Sequence, residues 1–293
     1  WSKIGLLDGD PENRGSVPLK KENIERLTQY MEAFNQPIST VDINGRTFAN
    51  TGFTQWGASG LAVAWAEENT RDSIFKAFKR KETFATTGTR IAVRFFAGYD
   101  LSSIDLNSDS LVSQAYNKGV TMGADLMHDG DRSPDFLVWA QKDKNGAPLQ
   151  RIQIIKGWVD SNSGMPHEEV YDVACSDGIS VDPITNRCPD NGARVNIKDC
   201  SISQDRGSAE LKTIWKDPNF SSTNKSFYYV RVLENPSCRW TTWDAIKAGH
   251  KPREDQHETI QERAWSSPIW YIPAKSEVDV IPLGGSVNVI GND

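Results

Sequence analysis

From residue 89 to residue 273 the sequence is a succession of short runs in which apolar and polar residues alternate, separated by turn residues. TRIAVRFFAGYD (89–100), DFLVWAQKD (135–143), LQRIQIIKGWVD (149–160), EEVYDVAC (168–175), AELKTIW (209–215), SFYYVRVLEN (226–235) and SPIWYIP (267–273) are each rich in β-branched or aromatic residues. A period of two sends successive side chains to opposite faces of a strand, so such runs bury an apolar face only by pairing into sheets that pack on something. Their length and spacing predict short antiparallel strands in a β-sandwich rather than a parallel sheet. Asn145-Gly146, between two of the runs, reads as a hairpin turn. The alternating Val and Ile of the tail, 276–293, suit an edge strand or a loose end.

Helical periodicity is clearest in the first third. In KENIERLTQYMEAF (21–34), Ile24, Leu27, Tyr30, Met31 and Phe34 line one face of an amphipathic helix. Residues 35–60 read as a polar connection and 61–66, LAVAWA, as a short apolar run. Asn69 or Thr70 can cap a second helix that carries Asp72 in its first turn and ends at the basic 79–81.

Composition narrows the function classes. The 293 residues hold 33 basic and 39 acidic side chains, a net charge of −6, which argues against a nucleic-acid binder driven by bulk charge. No apolar run approaches the ~18 residues of a membrane-spanning helix. The chain begins at Trp1 without an initiator Met or a leader pattern, and reads as a mature product or a piece of a longer reading frame. The four histidines, His128, His167, His250 and His257, form no metal-binding pair, so a histidine-built metal site is not expected within these residues. Cys175, Cys188, Cys200 and Cys238 contain no CxxC and sit among loop residues. They read as two disulfides formed in an oxidising compartment, periplasmic or secreted. Of three connectivities, Cys175–Cys188 with Cys200–Cys238 is the simplest closure.

Four stretches carry a family resemblance. They are residues 56–100 (WGASGLAVAWAEENTRDSIFKAFKRKETFATTGTRIAVRFFAGYD), KGVTMGADL (118–126), FLVWAQKDKNGAPLQRIQIIKGWVD (136–160), and FYYVRVLENPSCRWTTWDAIKAG (227–249) with IQERAWSSPIWY (260–271). Together they resemble the C-terminal half of the bacterial family catalogued as domain of unknown function 3604. That family is similar to the carbaryl-hydrolase-like branch of the polymerase and histidinol phosphatase (PHP) superfamily of metal-dependent hydrolases. The resemblance implies a mostly β chain: an antiparallel β-sandwich preceded by a helical linker and the remnant of an α/β barrel. Its divisions would be 1–60 for the end of the barrel and an irregular insert, 61–275 for linker and sandwich, and 276–293 for the tail. It also implies a divalent metal, manganese or zinc, in the complete protein, and a small ester or phosphoester substrate. The partner of the sandwich would be the barrel half of the same polypeptide. On that reading the chain alone is inactive.

The candidate residues follow from that layout. The barrel's last strand carries Gly-x-x-Asp-x-His in the family. Here Ile4-Gly5-Leu6-Leu7-Asp8-Gly9-Asp10 is the counterpart, with Asp10 where the histidine would stand. Asp8 and Asp10 would point to one side of a strand and could ligate a hard metal, although Asp-Gly-Asp-Pro is also an ordinary turn. Glu67, Glu68 and Arg71 stand at the linker's start, and the glutamates could act as an acid–base pair or simply stabilise the helix N-terminus. Asp105-Leu-Asn107-Ser-Asp109 opens like a calcium loop but has Ser110 and Tyr116 at the positions requiring Gly and Glu, and reads instead as a helix start.

Ten tryptophans remain. Trp139, Trp158, Trp215, Trp265 and Trp270 fall on predicted strands and are expected to fill the space between sheets. Trp240 and Trp243, beside Cys238, suit either the core or a carbohydrate-stacking surface. The latter gives a second functional reading: a non-catalytic sandwich that binds a glycan or a protein.

Overall fold

A computed structural model of the protein describes residues 39–43, 46–50, 60–160, 163–247, 249, 251–252 and 257–274. In chain order, the first elements are β1 (Ser39–Ile43), β2 (Arg46–Asn50), β3 (Leu61–Ala64), α1 (Arg71–Lys79), β4 (Thr83–Thr86), β5 (Ala92–Gly98), α2 (Leu111–Lys118), β6 (Gly119–Thr121) and β7 (Asp125–Met127). Then follow β8 (Asp135–Gln141), β9 (Leu149–Val159), β10 (Pro166–Cys175), β11 (Val195–Asn196), β12 (Ser201–Ile202), β13 (Glu210–Lys216) and β14 (Ser226–Glu234). The last are β15 (Ser237–Cys238), α3 (Trp240–Lys247), β16 (Thr259–Ile260), β17 (Arg263–Ser266) and β18 (Ile269–Ile272). The chain is mostly β, as the alternation predicts.

Two sheets dominate. One runs β10-β9-β14-β17-β4-β3, with β18 alongside β14 and β7; the other runs β13-β8-β5-β6. Pairing is antiparallel except between β18 and β7. The sheets share one core. Phe95, Phe136 and Val138 of the second sheet pack with Ile152, Ile154, Tyr228 and Val230 of the first. The period of two then gives β5 and β8 a second apolar face, where Phe96 and Leu137 meet Leu101, Leu111 and Ala115. The second sheet is therefore buried on both sides, with α2 as a lid.

Two polar groups lie deep in this core. Lys156 and Asp217 pair at 2.5 Å with almost no exposure, and Tyr228 donates to the same Asp217 oxygen at 2.8 Å. Each charge is matched and hydrogen-bonded, the condition under which buried ions are tolerated.

Several expectations are corrected. Asn145-Gly146 does not close a hairpin, because β8 and β9 belong to different sheets. Seven residues separate the strands, so the chain can cross from one sheet to the other. Asp143 organises the crossing by accepting from the Asn145 amide at 2.9 Å and the Arg90 amide at 2.7 Å. Conversely, residues 35–60 are not merely a connection: β1 and β2 pair antiparallel there, two residues apart. LAVAWA contributes β3, which pairs with β4. The tryptophans also divide differently. Trp215 packs on the shared core, but Trp139 lies on the far face of its sheet. Trp270 packs against Phe227 with the rings tilted, and the Phe227 ring lies over Gly157; a Cβ there would come within 2.2 Å of it. Side chains 227, 265 and 270 alternate with the buried 228, 264 and 269, and so fall on the outer face. The amphipathic helix of 21–34 and the tail 276–293 lie outside the described residues.

Candidate functional site

The second disulfide borders a concave part of the surface. Cys175 pairs with Cys188 and Cys200 with Cys238, the simplest closure. The second bond ties the start of β12 to β15, and β15 leads directly into α3. The other side of α3 is anchored by Glu258, whose carbonyl accepts from the Arg239 amide at 2.9 Å and the Thr242 hydroxyl at 2.8 Å. Between α3, the crossing loop and the β4–β5 turn lies a cleft of about 710 Å³. Trp240, Trp243, Glu234, Glu262, Asn145 and Gln204 are among its lining residues.

At this cleft two glutamates lie side by side. Glu234 ends β14 and its amide donates to the Glu262 carbonyl at 2.9 Å. Both Glu234 carboxylate oxygens and Oε2 of Glu262 are buried with no hydrogen-bond partner, and so is the hydroxyl of Thr89. Gly146 lies so close that a Cβ would stand 2.8 Å from Glu234 Oε1. Burial, reinforced by the negative charge of Glu262, pushes the Glu234 carboxyl up to about 8. Thr89 and the Ala147 amide face it and pull the other way without reaching hydrogen-bond geometry. The result is a carboxyl that holds its proton at neutral pH unless a donor or a cation arrives.

The sequence candidates lie elsewhere. Glu67 accepts from the Ser73 hydroxyl at 3.0 Å and pairs with Arg80 at 3.0 Å. Backbone and Ser73 hydrogen bonds hold its pKa below the usual glutamate value. It is thus not the raised member of an acid–base pair. Thr70 caps α1 by accepting from the Ser73 amide at 3.3 Å, and Glu68 and Arg71 are exposed beside it. The helix-terminus reading is the one these contacts express. Asp8 and Asp10 lie outside the described residues, as does His250. His128 and His257 are exposed, while His167 stacks on Trp158 with ring centres 5.2 Å apart. The Asp105–Asp109 segment forms a turn ahead of α2, with the Asn107 amide bonded to Asp105 at 2.9 Å. Among the described residues no three His, Cys, Asp or Glu side chains come together as a metal site.

A second buried carboxylate, Glu82, is absent from the sequence expectations too. It accepts from Tyr116 and Thr121 and pairs with Arg80 and, at 3.7 Å, with Arg94, whose guanidinium stacks 3.5 Å above Trp65. Burial and Glu82 push the Tyr116 phenol up to about 12. Every oxygen there is satisfied, so the cluster braces α1 against β5. Glu234 differs in having none of its oxygens satisfied. Its signal in the sequence is faint: it continues the core-facing series Tyr228, Val230, Val232 at the same period of two. Trp240 and Trp243 are half-buried and line the cleft.

No curated protein and no solved structure matches the chain. Among the described residues no helix is long and apolar enough to cross a membrane, and the two disulfides are of the kind retained in oxidising compartments. The described parts of the four motifs quoted above cover β3–α1–β5, β6–β7, β8–β9 and β14–α3–β18, and the family described as "Protein of unknown function (DUF3604)" matches residues 20–273, so the chain belongs to that family.

Proposed function

We propose that the two-sheet domain is a binding module of a secreted or periplasmic protein, and that its cleft holds a carbohydrate. The observation that carries this is the pairing of Trp240 and Trp243 with carboxylate and amide side chains around one concavity. Indole rings offer flat apolar faces for a sugar ring, and Glu234, Glu262, Asn145 and Gln204 offer hydrogen-bonding groups for its substituents. The disulfide at Cys238 holds α3 in place, so little ordering is needed on binding. A glycan array probed with the whole chain tests this. Binding should occur and fall at least tenfold in Trp240→Ala and Trp243→Ala variants that unfold at the parent temperature. An array without signal removes the reading.

A second reading concerns the complete protein. We propose that it is a metal-dependent hydrolase of small esters or phosphoesters, with the barrel half of the polypeptide as the sandwich's partner. The order α1 followed directly by packed antiparallel sheets is the one the PHP resemblance implies, and this supports it. In that protein manganese or zinc would activate water and polarise the ester oxygen, with Asp8 and Asp10 the candidate ligands in this chain. The 293 residues by themselves should show no phosphoesterase activity with manganese or zinc, and chelator-sensitive activity of this chain alone would overturn the reading. Activity confined to a longer polypeptide would place it in the barrel half.

A further inference from the structure

The unsatisfied oxygens at the cleft describe their ligand. Glu234 is 1 % exposed, and neither of its oxygens nor Oε2 of Glu262 accepts a hydrogen bond. Polar groups buried in this way are costly unless something pairs with them. A neutral hydroxyl carries a single donor and no charge. An ammonium carries three donors and the compensating charge. It thus matches three carboxylate oxygens at once, and it is attracted to an indole face within ~6 Å.

A bare metal ion suits the site less. Calcium takes ~6–8 oxygen ligands, and the described residues bring no third acidic, His or Cys side chain to the pair. Asp143, the next carboxylate, already accepts from two backbone amides. Lys247 is the cation of the lining and is exposed in the last turn of α3.

We propose that the cleft recognises an amino group on its ligand, Glu234 and Glu262 taking the ammonium while Trp240 and Trp243 pack on the ring that carries it. The ligand class is an amino sugar. This rests on the carbohydrate reading above and narrows it.

The experiment compares a glucosamine oligomer with the N-acetylglucosamine oligomer of equal length, by calorimetric titration of the whole chain near neutral pH. The free amine should bind at least tenfold more tightly. Glu234→Gln and Glu262→Gln should each remove most of that preference, and charge-matched Asp109→Asn on an exposed turn should not. Thermal unfolding of each variant verifies the fold. Equal or tighter binding of the acetylated oligomer overturns the ammonium inference but leaves a carbohydrate cleft standing. A preference that Asp109→Asn weakens as much as Glu234→Gln reduces it to bulk attraction of a polycation and also overturns it. Binding of calcium or manganese alone that disappears in Glu234→Gln replaces the amine by a metal. Failure of every oligomer on the array removes the carbohydrate reading itself.

Discussion

Glu234 sits on a strand that otherwise sends Tyr228, Val230 and Val232 into the core. Its carboxyl, pushed up to about 8 by burial and by Glu262, binds more protons in the folded chain than an unfolded glutamate near ~4.3. Its contribution to stability is therefore complete below that unfolded value and is lost as pH rises through the folded one. Unfolding by denaturant at pH 5 and pH 8.5 should show the ligand-free protein weaker at the higher pH by on the order of a few kcal/mol, and Glu234→Gln should flatten the difference. Glu262, Asp143 and Lys247 are the charged groups facing this carboxyl or its cleft. Gly146 permits the geometry. Gly146→Ala would put a methyl 2.8 Å from Glu234 Oε1 and 3.0 Å from Asp143 Cβ. We expect a loss of ~1–3 kcal/mol from this overpacking, measured as a shift in denaturant midpoint.

At the scale of elements, α3 is short and depends on its attachments. The Cys200–Cys238 bond closes 38 residues and holds the residue two before the helix. Replacing both cysteines by serine should cost ~2–4 kcal/mol through the freed unfolded chain, and should also loosen the cleft wall. Serines at Cys175 and Cys188, which close 13 residues, should cost ~2–3 kcal/mol and leave ligand affinity unchanged. Titration of the two double variants separates the roles; equal loss of affinity in both would contradict this assignment. The Asn-Gly pairs teach a related lesson. Asn44-Gly45 stands between strands two residues apart, and those strands pair. Asn145-Gly146 has the same dipeptide within a seven-residue link, and the strands part. Turn chemistry acts on neighbours only when the link is too short to leave the sheet.

Over the whole molecule, the two sheets have one core. Phe136 meets Phe95, Trp215 and Tyr228, with ring centres 4.3 to 6.0 Å apart. Phe136→Ala should cost ~3–5 kcal/mol and lower one cooperative transition rather than split it, because buried side chains of both sheets pack into one cluster around this ring. Scanning calorimetry checks this; two resolved transitions would mean that the sheets unfold separately. Lys156 and Asp217 report on the same core from the polar side, since removing one partner strands the other charge.

Read alone, the sequence determined that the chain is mostly β, where its long strands run and where α1 is capped; among three cysteine connectivities it favoured the simplest, and the structure decided it. Those properties are local: a period of two and a cap at Thr70 each act over a few residues. The same reading placed a resemblance on motifs from 56 to 271. Only the tertiary structure decided which strands share a sheet, because β8 and β9 carry equal alternation whether they pair with each other or with distant strands. It also decided which carboxylates matter. Glu67 and Glu68 are adjacent in sequence and end as helix-terminus groups, whereas Glu234 and Glu262 are 28 residues apart and meet at the cleft. Burial is a property of everything packed around a side chain, and that is set by contacts no local pattern encodes.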